Sequence, residues 1–345
     1  MISLAIAGGL SFFLAIFSTP VLIKFMERRS LGHQVREAGP KGHAIKSGTP
    51  TLGGIAIIFA AVIAFVVEHI VIRGIRTRAA PLVLLAVVGA GLVGFLDDWL
   101  KLRRKHNQGL NKRAKFGLQL ALALLFALLA EQWAGVNLNL TFTRYNLPGI
   151  NLGHWGWAAF AVLVIVGTSN AVNFTDGLDG LAAGSSSFAF VCLAVLAYWQ
   201  FRHPADYRLV PALDLAVVSL ALAGACTGFL WWNAGPAKIF MGDTGALAIG
   251  AGLAAICLQM NIALLLPIIG GLFVIETLSV VIQVASFHLF KRRVFRMAPI
   301  HHHFELKGWP ESTVIVRFWI LSALCSSFGV GIFYADFIAS HAAGH

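Results

Sequence analysis

Ten separate stretches of this chain are apolar and long enough to cross a lipid bilayer, and this feature limits the possible fold more than any other. The hydrocarbon core of a bilayer is about 30 Å thick, which an α-helix crosses in about 20 residues. The stretches lie at residues 3–23, 52–72, 81–100, 116–134, 156–172, 181–200, 212–232, 244–260, 262–288 and 317–337. Only 12% of the 345 residues are charged, against about 25% in a soluble domain. The sequence therefore predicts an all-α polytopic membrane protein with ten transmembrane helices and excludes a water-soluble domain.

Two regions depart from simple spans. The ninth stretch is longer than one span requires and contains Gly270 and Gly271, so we expect a tilted or bent helix there. In the loop after the fourth stretch, residues 137–143 alternate polar and apolar, 147–149 supply a turn, and 150–152 resume the alternation. This pattern predicts a small β-hairpin, with an irregular linker as the alternative. No repeat or low-complexity segment divides the chain, and we expect residues 1–345 to form a single integral membrane domain.

The basic residues indicate the orientation in the membrane. The chain has 26 Lys and Arg against 15 Asp and Glu, which gives a formal charge of +11. In a soluble protein this excess would suggest nucleic acid, but in membrane proteins Lys and Arg collect in cytoplasmic loops. Twenty of the 26, including all ten lysines, lie in loops that follow odd-numbered stretches. We therefore expect those loops to be cytoplasmic and both termini to be extracellular or periplasmic. We expect no nucleic acid partner. The cluster of Arg73, Arg76 and Arg78 lies on the other side and argues against this orientation.

Acidic residues at membrane depth are costly and usually mark function. Among those that lie within or at the end of an apolar stretch, six are candidates for such a role: Asp97, Asp98, Asp176, Asp179, Asp243 and Glu276. All except Glu276 fall at ends on the basic side of the membrane. Loops that meet on that face would gather the other five into one polar, acidic cleft.

The first acidic pair ends the third stretch. Lys101 follows Asp97 by four residues and Asp98 by three, so on a continuous helix it can pair with either carboxylate. Two adjacent carboxylates followed by lysines are suited to hold a divalent cation together with an anionic phosphate. A solvated helix end is the alternative.

The second acidic group follows the fifth stretch. Asn173, Asp176 and Asp179 recur at a three-residue spacing, which would place them on one helical face, and Gly177 and Gly180 would let a ligand approach closely. The segment carries no basic residue although it lies on the basic side. This composition favours a site over a purely topological loop.

The loop between the seventh and eighth stretches carries Asn233, Lys238, Phe240 and Asp243. Asp243 can be read as an N-cap of the incoming helix. Capping does not require the flanking glycines, or Asn233 and Lys238 in the same short loop, so a functional site is favoured.

Three consecutive histidines, His301, His302 and His303, lie in the large loop before the last stretch. Neighbouring side chains point in different directions, so three in a row rarely reach one ion, and a zinc site is disfavoured. We expect one or two of them to enter the cleft as hydrogen-bonding groups or as cations facing phosphate. At the start of the second stretch, Lys46 and Thr51 accompany several glycines, which suits an anion at a helix N-terminus; a simple Pro/Gly helix start is the alternative.

Five motifs in this order along a ten-span chain carry a resemblance. They are GTPTLGG (48–54), GFLDDWLK (94–101), NAVNFTDGLDGLA (170–182), IFMGDTGA (239–246) and RVFRMAPIHHHFELKGWPE (293–311). Together they resemble the bacterial phospho-N-acetylmuramoyl-pentapeptide transferases (the MraY family) of the polyprenyl-phosphate N-acetylhexosamine-1-phosphate transferase superfamily. The triple-histidine segment points to the muramoyl-pentapeptide branch. Leu52 stands where the family has Met, a conservative change.

The resemblance implies transfer of phospho-N-acetylmuramoyl-pentapeptide from its UDP carrier to undecaprenyl phosphate, which yields lipid I and UMP. This is the first membrane step of peptidoglycan synthesis, which serves cell wall biogenesis, cell shape and cell division. It also implies Mg²⁺ as cofactor, the bacterial inner membrane as location, and an active site on the cytoplasmic face. The partners would be UDP-MurNAc-pentapeptide, undecaprenyl phosphate and membrane lipid, with a homodimer left open.

The resemblance also implies roles for individual residues. Asp97, Asp98 and Asp243 would be catalytic, and Asp243 and Asn173 would bind the metal. A phosphate monoester is largely ionised near neutral pH, with a second pKa of about 6, so placing the lipid phosphate matters more than deprotonating it. We therefore expect direct attack by that phosphate and not a phospho-aspartyl intermediate. The implied substrate-binding residues are Lys46, Thr51, Lys101, Lys115, Asn173, Asp176, Asp179, Asn233, Phe240, His301, His302 and His303.

Two alternative functions remain at this point. A related transferase that uses UDP-GlcNAc would share the acidic motifs, and donor competition would distinguish it. A lipid transporter or flippase would also place carboxylates in the membrane, but transporters concentrate them near the midplane with repeat symmetry. UMP formation without translocation would separate an enzyme from a transporter.

Overall fold

A computed structural model describes residues 1–29, 48–72, 77–104 and 109–342. The helices and strands in chain order are α1 (Ile2–Arg28), α2 (Gly54–Ile72), α3 (Ala79–Arg104), α4 (Lys112–Gln132), β1 (Asn139–Arg144), β2 (Leu147–Asn151), α5 (Gly153–Thr175), α6 (Leu181–Arg202), α7 (Pro204–Tyr207), α8 (Ala212–Asn233), α9 (Gly242–Gln259), α10 (Leu266–Ile269), α11 (Gly271–Phe290), α12 (Ile300–Glu305) and α13 (Glu311–Ala342). Within the described ranges, ten of these helices are long and apolar enough to cross a membrane: α1–α6, α8, α9, α11 and α13. The prediction of ten helical spans is confirmed.

Helix α9 lies at the centre of the bundle. Its residues from Thr244 to Gln259 are all buried, and it packs against α2, α3 and α5. Helix α8 is the second buried element and packs against α1, α2 and α6. By contrast α1, α4, α11 and α13 expose large apolar side chains, as helices in contact with lipid do. The central position of α9 brings the ends of several other helices to its first turn.

Glycines let the backbones around that first turn approach closely. A Cβ added at Gly94 of α3 would overlap the backbone of Asp243 and Thr244 on α9. Gly54, at the start of α2, lies against Gly245 of α9 in the same way. Small residues at helix crossings are the usual means of bringing membrane helices together. These contacts fix the ends of α2 and α3 against the start of α9.

The ninth apolar stretch is interrupted and does not form a single bent helix. A 3₁₀ turn over Ala263–Leu265 leads into α10, and the chain then breaks at Gly270 before α11 begins at Gly271. The Gly270-Gly271 pair therefore marks the irregularity as predicted, but the structure ends one helix there and begins another. Glycine weakens helix continuity because it adds backbone freedom and no side-chain contacts.

The predicted β-hairpin is confirmed, although its turn was placed wrongly. Strands β1 and β2 pair antiparallel, with Arg144 opposite Leu147, so the reversal occurs at Tyr145 and Asn146 and residues 147–149 belong to β2. The backbone carbonyl of Tyr145 accepts a hydrogen bond from the side chain of Asn139, which stabilises this two-residue loop. The turn was predicted at Pro148 and Gly149 because this pair is common in turns, but it lies inside the sheet, beside an irregularity in the register.

Candidate functional site

Three carboxylates from two helices meet at one point. Asp97 and Asp98 lie near the end of α3, and Asp243 is the second residue of α9. One oxygen from each carboxylate lies within 4.8 Å of the others, a spacing that a single metal ion can bridge. Asp97 and Asp98 are buried, at 3% and 4% exposure, so this is a built site and not a solvated acidic patch. The alternative of a solvated helix end is therefore wrong.

Two lysines lie among these carboxylates. Lys101 Nζ is 2.6 Å from Asp97 Oδ2, 2.8 Å from Asp243 Oδ2 and 3.5 Å from Asp98 Oδ1. From the first turn of α4, Lys115 Nζ reaches Asp243 Oδ2 at 2.6 Å and Asp97 Oδ2 at 3.6 Å. The predicted pairing of Lys101 with the preceding aspartates is confirmed. These ammonium groups stabilise a dense group of negative charges and provide cations for phosphate.

Backbone groups hold Asp97 and Asp98 in place. Asp98 Oδ2 accepts hydrogen bonds from the backbone N–H and the hydroxyl of Thr244, at 2.9 and 2.8 Å. Asp97 Oδ1 accepts from the backbone N–H of Leu110, at 2.7 Å. The N-cap of α9 is Met241, so Asp243 does not cap this helix and its carboxylate is left to the cluster.

Asn173 also touches the cluster. It lies in the last turn of α5, and its Nδ2 donates a hydrogen bond of 2.6 Å to Asp243 Oδ1. In this orientation the amide nitrogen faces the carboxylate, so Asn173 positions Asp243 and would have to turn its oxygen inward to bind a cation. The chain thus brings groups from α3, α4, α5 and α9 to one site.

The predicted placement of Asn173, Asp176 and Asp179 on one helical face is wrong. Helix α5 ends at Thr175, Asp176 is its C-cap, and Asp179 lies in the turn before α6. The three-residue spacing suggested a helix, but Gly180 has a φ of +78° and starts α6 from a left-handed conformation. The three side chains therefore share one connection and not one face.

The two aspartates of this connection have different surroundings. Asp179 is buried; its Oδ2 accepts a hydrogen bond of 3.0 Å from the backbone N–H of Ala237, and its backbone N–H donates one of 3.2 Å to Glu311 Oε1. Burial, together with the charges of Asp243, Asp98 and Asp179, raises the pKa of Asp176 to about 8. Asp176 is therefore mostly protonated at neutral pH when no ligand is bound.

Phe240 and Thr51 lie in two segments that pair with each other. The backbone N–H of Phe240 donates to the carbonyl of Pro50 at 2.8 Å, and its carbonyl accepts from Gly53 at 2.9 Å. Thr51 is buried, and it lies beside Gly242, whose Cβ, if present, would be 3.0 Å from the Thr51 hydroxyl. The motif around Thr51 is thereby fixed to the segment that leads into Asp243.

Asn233 serves its own loop. It is buried at the end of α8, and its Nδ2 donates to the carbonyl of Ile239 at 2.8 Å, so the amide holds the loop from 234 to 241. Its Oδ1 is buried and has no hydrogen-bond partner among the described residues. This oxygen is therefore the unpaired polar atom of the Asn233 side chain.

The three histidines have different neighbours. His301 is fully buried in α12, beside Glu276 of α11 and against Gly177 of the loop that carries Asp176. His302 Nδ1 is 2.7 Å from Glu305 Oε2, and His303 Nδ1 accepts a hydrogen bond from the backbone N–H of Arg296. Desolvation lowers the pKa of His303, and the charges of Lys307 and Arg296 lower it further. Of the three, His301 is the one that lies against the loop between α5 and α6.

One predicted site residue lies outside the described part of the chain, and two residues that hold site groups were not predicted. Lys46 lies outside the described residues. Thr244 and Glu311, which hold Asp98 and the Asp179 backbone, were not among the predicted site residues. Thr244 follows Asp243 directly, and a hydroxyl beside a buried aspartate was a usable signal. Glu311 begins the last span, 132 residues after Asp179, and its contact had no signal in the sequence.

Comparison with known proteins identifies the family. The sequence model of glycosyl transferase family 4 matches residues 80–261. A phospho-N-acetylmuramoyl-pentapeptide-transferase from Frankia alni is 48% identical over 98% of this chain and 99% of its own length. Those from Saccharopolyspora erythraea and Corynebacterium aurimucosum are each 46% identical, over 98% and 100% of this chain and 98% and 99% of theirs. The chain belongs to the phospho-N-acetylmuramoyl-pentapeptide-transferase family.

Membership of the phospho-N-acetylmuramoyl-pentapeptide-transferase family confirms the resemblance drawn from the motifs. The glycosyl transferase match from 80 to 261 contains the whole carboxylate cluster and both lysines. The three histidines lie beyond it, in the part of the chain that only the full-length relatives cover. The carboxylate cluster therefore lies in a segment shared with the broader glycosyl transferase family, and the histidines lie in a later segment that the full-length relatives align with.

Proposed function

We propose that this chain transfers phospho-N-acetylmuramoyl-pentapeptide from UDP-MurNAc-pentapeptide to undecaprenyl phosphate, giving lipid I and UMP in peptidoglycan synthesis. Full-length similarity to transferases of this name supports the activity. The observation that carries the proposal is the meeting of Asp97, Asp98 and Asp243 with Lys101 and Lys115, because a diphosphate exchange needs both cation-binding carboxylates and cations for phosphate.

Mg²⁺ is the metal that suits this cluster. Its preferred ligands are carboxylate oxygens together with substrate phosphates, and the three grouped side chains supply only oxygen donors. Asp243 would bind the ion directly, and Asn173 would do so after its amide turned. When bound, the ion supplies charge stabilisation on the phosphate oxygens of the donor.

The lysines and the adjacent aspartates have complementary tasks. Lys101 and Lys115 neutralise phosphate oxygens, and Asp97 and Asp98 place the lipid phosphate through the lysines and the cation. An oxygen of that phosphate forms a bond to the sugar-linked phosphorus of the donor, and the bond from this phosphorus to the bridging oxygen breaks. The bridging oxygen leaves with the electron pair as part of UMP. This direct exchange needs no phospho-aspartyl intermediate.

The surrounding loops bind the donor. Asp176 and Asp179 contact it from the connection between α5 and α6, and Asn233 Oδ1 and the ring of Phe240 hold the uracil. Thr51 and Lys46 add polar groups from the segment before α2. His301, His302 and His303 contribute from the α12 side. The described residues of one chain bring the carboxylate cluster together, so a second copy is not required to complete it.

The membrane orientation follows from the charges. We place the carboxylate cluster on the cytoplasmic face of a bacterial inner membrane, both termini on the outer side, and residues 1–345 in a single integral membrane domain. The ten apolar helices and the bacterial origin of the relatives support this placement. A soluble nucleotide sugar would then meet a lipid-borne phosphate at the membrane surface.

The test is reconstitution. Purified protein with Mg²⁺, UDP-MurNAc-pentapeptide and undecaprenyl phosphate should form lipid I and release UMP in equal amounts, and EDTA should stop both. Addition of excess UDP-GlcNAc should leave lipid I formation unchanged. If UDP-GlcNAc were consumed in preference, or if lipid moved across vesicles without UMP release, the proposed function would be wrong.

A further inference from the structure

Glu276 is a buried carboxylate that the proposed reaction does not use. It lies on α11 and has no solvent-exposed surface, and its Oε2 is 3.1 Å from Nδ1 of His301, which is equally buried. The two atoms are within ion-pair distance but are not aligned as a hydrogen bond. Both carboxylate oxygens and both ring nitrogens are otherwise without a hydrogen-bond partner among the described residues.

An apolar cluster lies on the same elements as this pair, and the His302 ring centroid lies 4.1 Å from that of His301. Leu178 and Leu181 after α5, Leu272 on α11, and Val314 and Ile315 on α13 form a separate small core at the same helices. A polar group buried in such a place costs free energy unless it finds a partner, and a charge costs more. Among the described residues, the Glu276 carboxylate faces the imidazole and makes no hydrogen bond, so the two side chains depend on each other.

The far side of the imidazole meets the loop between α5 and α6. A Cβ added at Gly177 would overlap His301 Nε2, so the ring lies directly against the backbone between Asp176 and Asp179. Nδ1 faces Glu276 and Nε2 faces Gly177, so the carboxylate lies where it can orient the ring. A buried acid that fixes a histidine in this way is a recurrent arrangement in enzymes.

We propose that Glu276 is a positioning residue, whose carboxylate holds the Nδ1 edge of the His301 ring and thereby keeps Nε2 against Gly177, so that Asp176 and Asp179 are held in place for the nucleotide-sugar donor. Glu276 acts through His301 and does not touch the substrate. This inference rests on the proposed function, because its effect is measured on the transferase reaction.

The test is a double-mutant cycle on the full-length protein. Glu276→Gln keeps the shape of the side chain and removes its charge, and we expect kcat/KM for UDP-MurNAc-pentapeptide to fall about tenfold to a hundredfold. The KM for undecaprenyl phosphate should not change, since the lipid phosphate is held at the aspartate and lysine cluster. In a His301→Gln background, the Glu276 substitution should cause no further loss, because its effect passes through the ring.

The matched control is Asp214→Asn. Asp214 is also a buried carboxylate of a membrane helix, hydrogen-bonded to Thr77, and it lies at the opposite end of the bundle. The Asp214→Asn substitution should lower thermal stability without changing the KM for either substrate. If Glu276→Gln kept wild-type kcat/KM, or if its loss multiplied with that of His301→Gln, Glu276 would have no positioning role. Absence of lipid I with the wild-type protein would instead overturn the proposed function itself.

Discussion

Lys101 and Lys115 place two ammonium groups among three carboxylates, so the cluster carries one more negative charge than positive before a ligand binds. This near balance explains how Asp97, Asp98 and Asp243 can lie together in a partly buried site, since like charges at such distances repel strongly. A bound cation would release the lysines from the carboxylates and leave them to meet phosphate. The same five side chains thus balance charge in the free protein and, in the proposed function, would provide the ligands for the reaction.

Removing one charge from the cluster should stop the reaction without unfolding the protein. We expect Asp243→Asn and Asp98→Asn each to lower the rate of UMP release by at least about a hundredfold, because each loses charge that holds the cation and the lysines. The assay is UMP release in the reconstituted reaction, with the melting temperature as a check on folding. Asp336→Asn, which removes a carboxylate paired with Arg144 on the opposite face, is the control and should keep its activity. Near-wild-type turnover in either cluster variant would refute the assignment.

The raised pKa of Asp176 should appear as a pH-dependent stability. The unfolded carboxyl ionises near its ordinary pKa, whereas the folded one keeps its proton up to a pKa of about 8. The folded state therefore binds the extra proton, and the wild type loses stability as pH rises from about 4 to about 8. Asp176→Asn cannot ionise, so its advantage in melting temperature over the wild type should grow across this range and level off above it. The measurement is thermal unfolding of both proteins with EDTA present; a constant difference would contradict the shift.

At the scale of elements, local patterns were predictable and long-range contacts were not. The spacing of Asp97 and Lys101 is a property of one helix, so their pairing followed from the sequence. The contact between Gly94 and Asp243 joins residues from two helices far apart in the chain, and only tertiary packing shows it. The end of α5 at Thr175 was missed because three-residue spacing fits both a helix and a run of turns.

The close approach of α3 and α9 can be tested at Gly94. We expect Gly94→Ala to destabilise the protein by about 1–3 kcal/mol, because the new methyl group meets backbone atoms that cannot move aside. It should also reduce activity, since the displaced backbone carries Asp243. Gly117→Ala on α4 is the matched control, with open space around the added methyl group, and it should retain both properties. Equal behaviour of the two variants would show that the helices are not packed as described.

At the scale of the whole molecule, charge and chemistry lie on the same side. The sequence alone predicts the ten spans and a basic face. The length of an apolar stretch reflects the thickness of the bilayer, and Lys and Arg collect on one side of it. The structure adds that Lys101 and Lys115, which belong to this basic set, reach into the carboxylate cluster. Part of the charge that orients the protein is therefore also part of the site. If the proposed orientation were wrong, the proposed location of the reaction would be wrong as well.

Cysteine labelling of intact cells tests this orientation. Lys112 begins α4 next to the cluster and Asn146 lies in the turn of the hairpin on the opposite face, and both are exposed. In a background that lacks Cys325, the one native cysteine that is not fully buried, a membrane-impermeant maleimide should label Asn146→Cys in intact cells. It should label Lys112→Cys only after the cells are opened, because positive loops remain inside. Labelling in the reverse pattern would place the cluster outside, where a cytoplasmic nucleotide sugar cannot reach it, and would exclude the proposed reaction at this site.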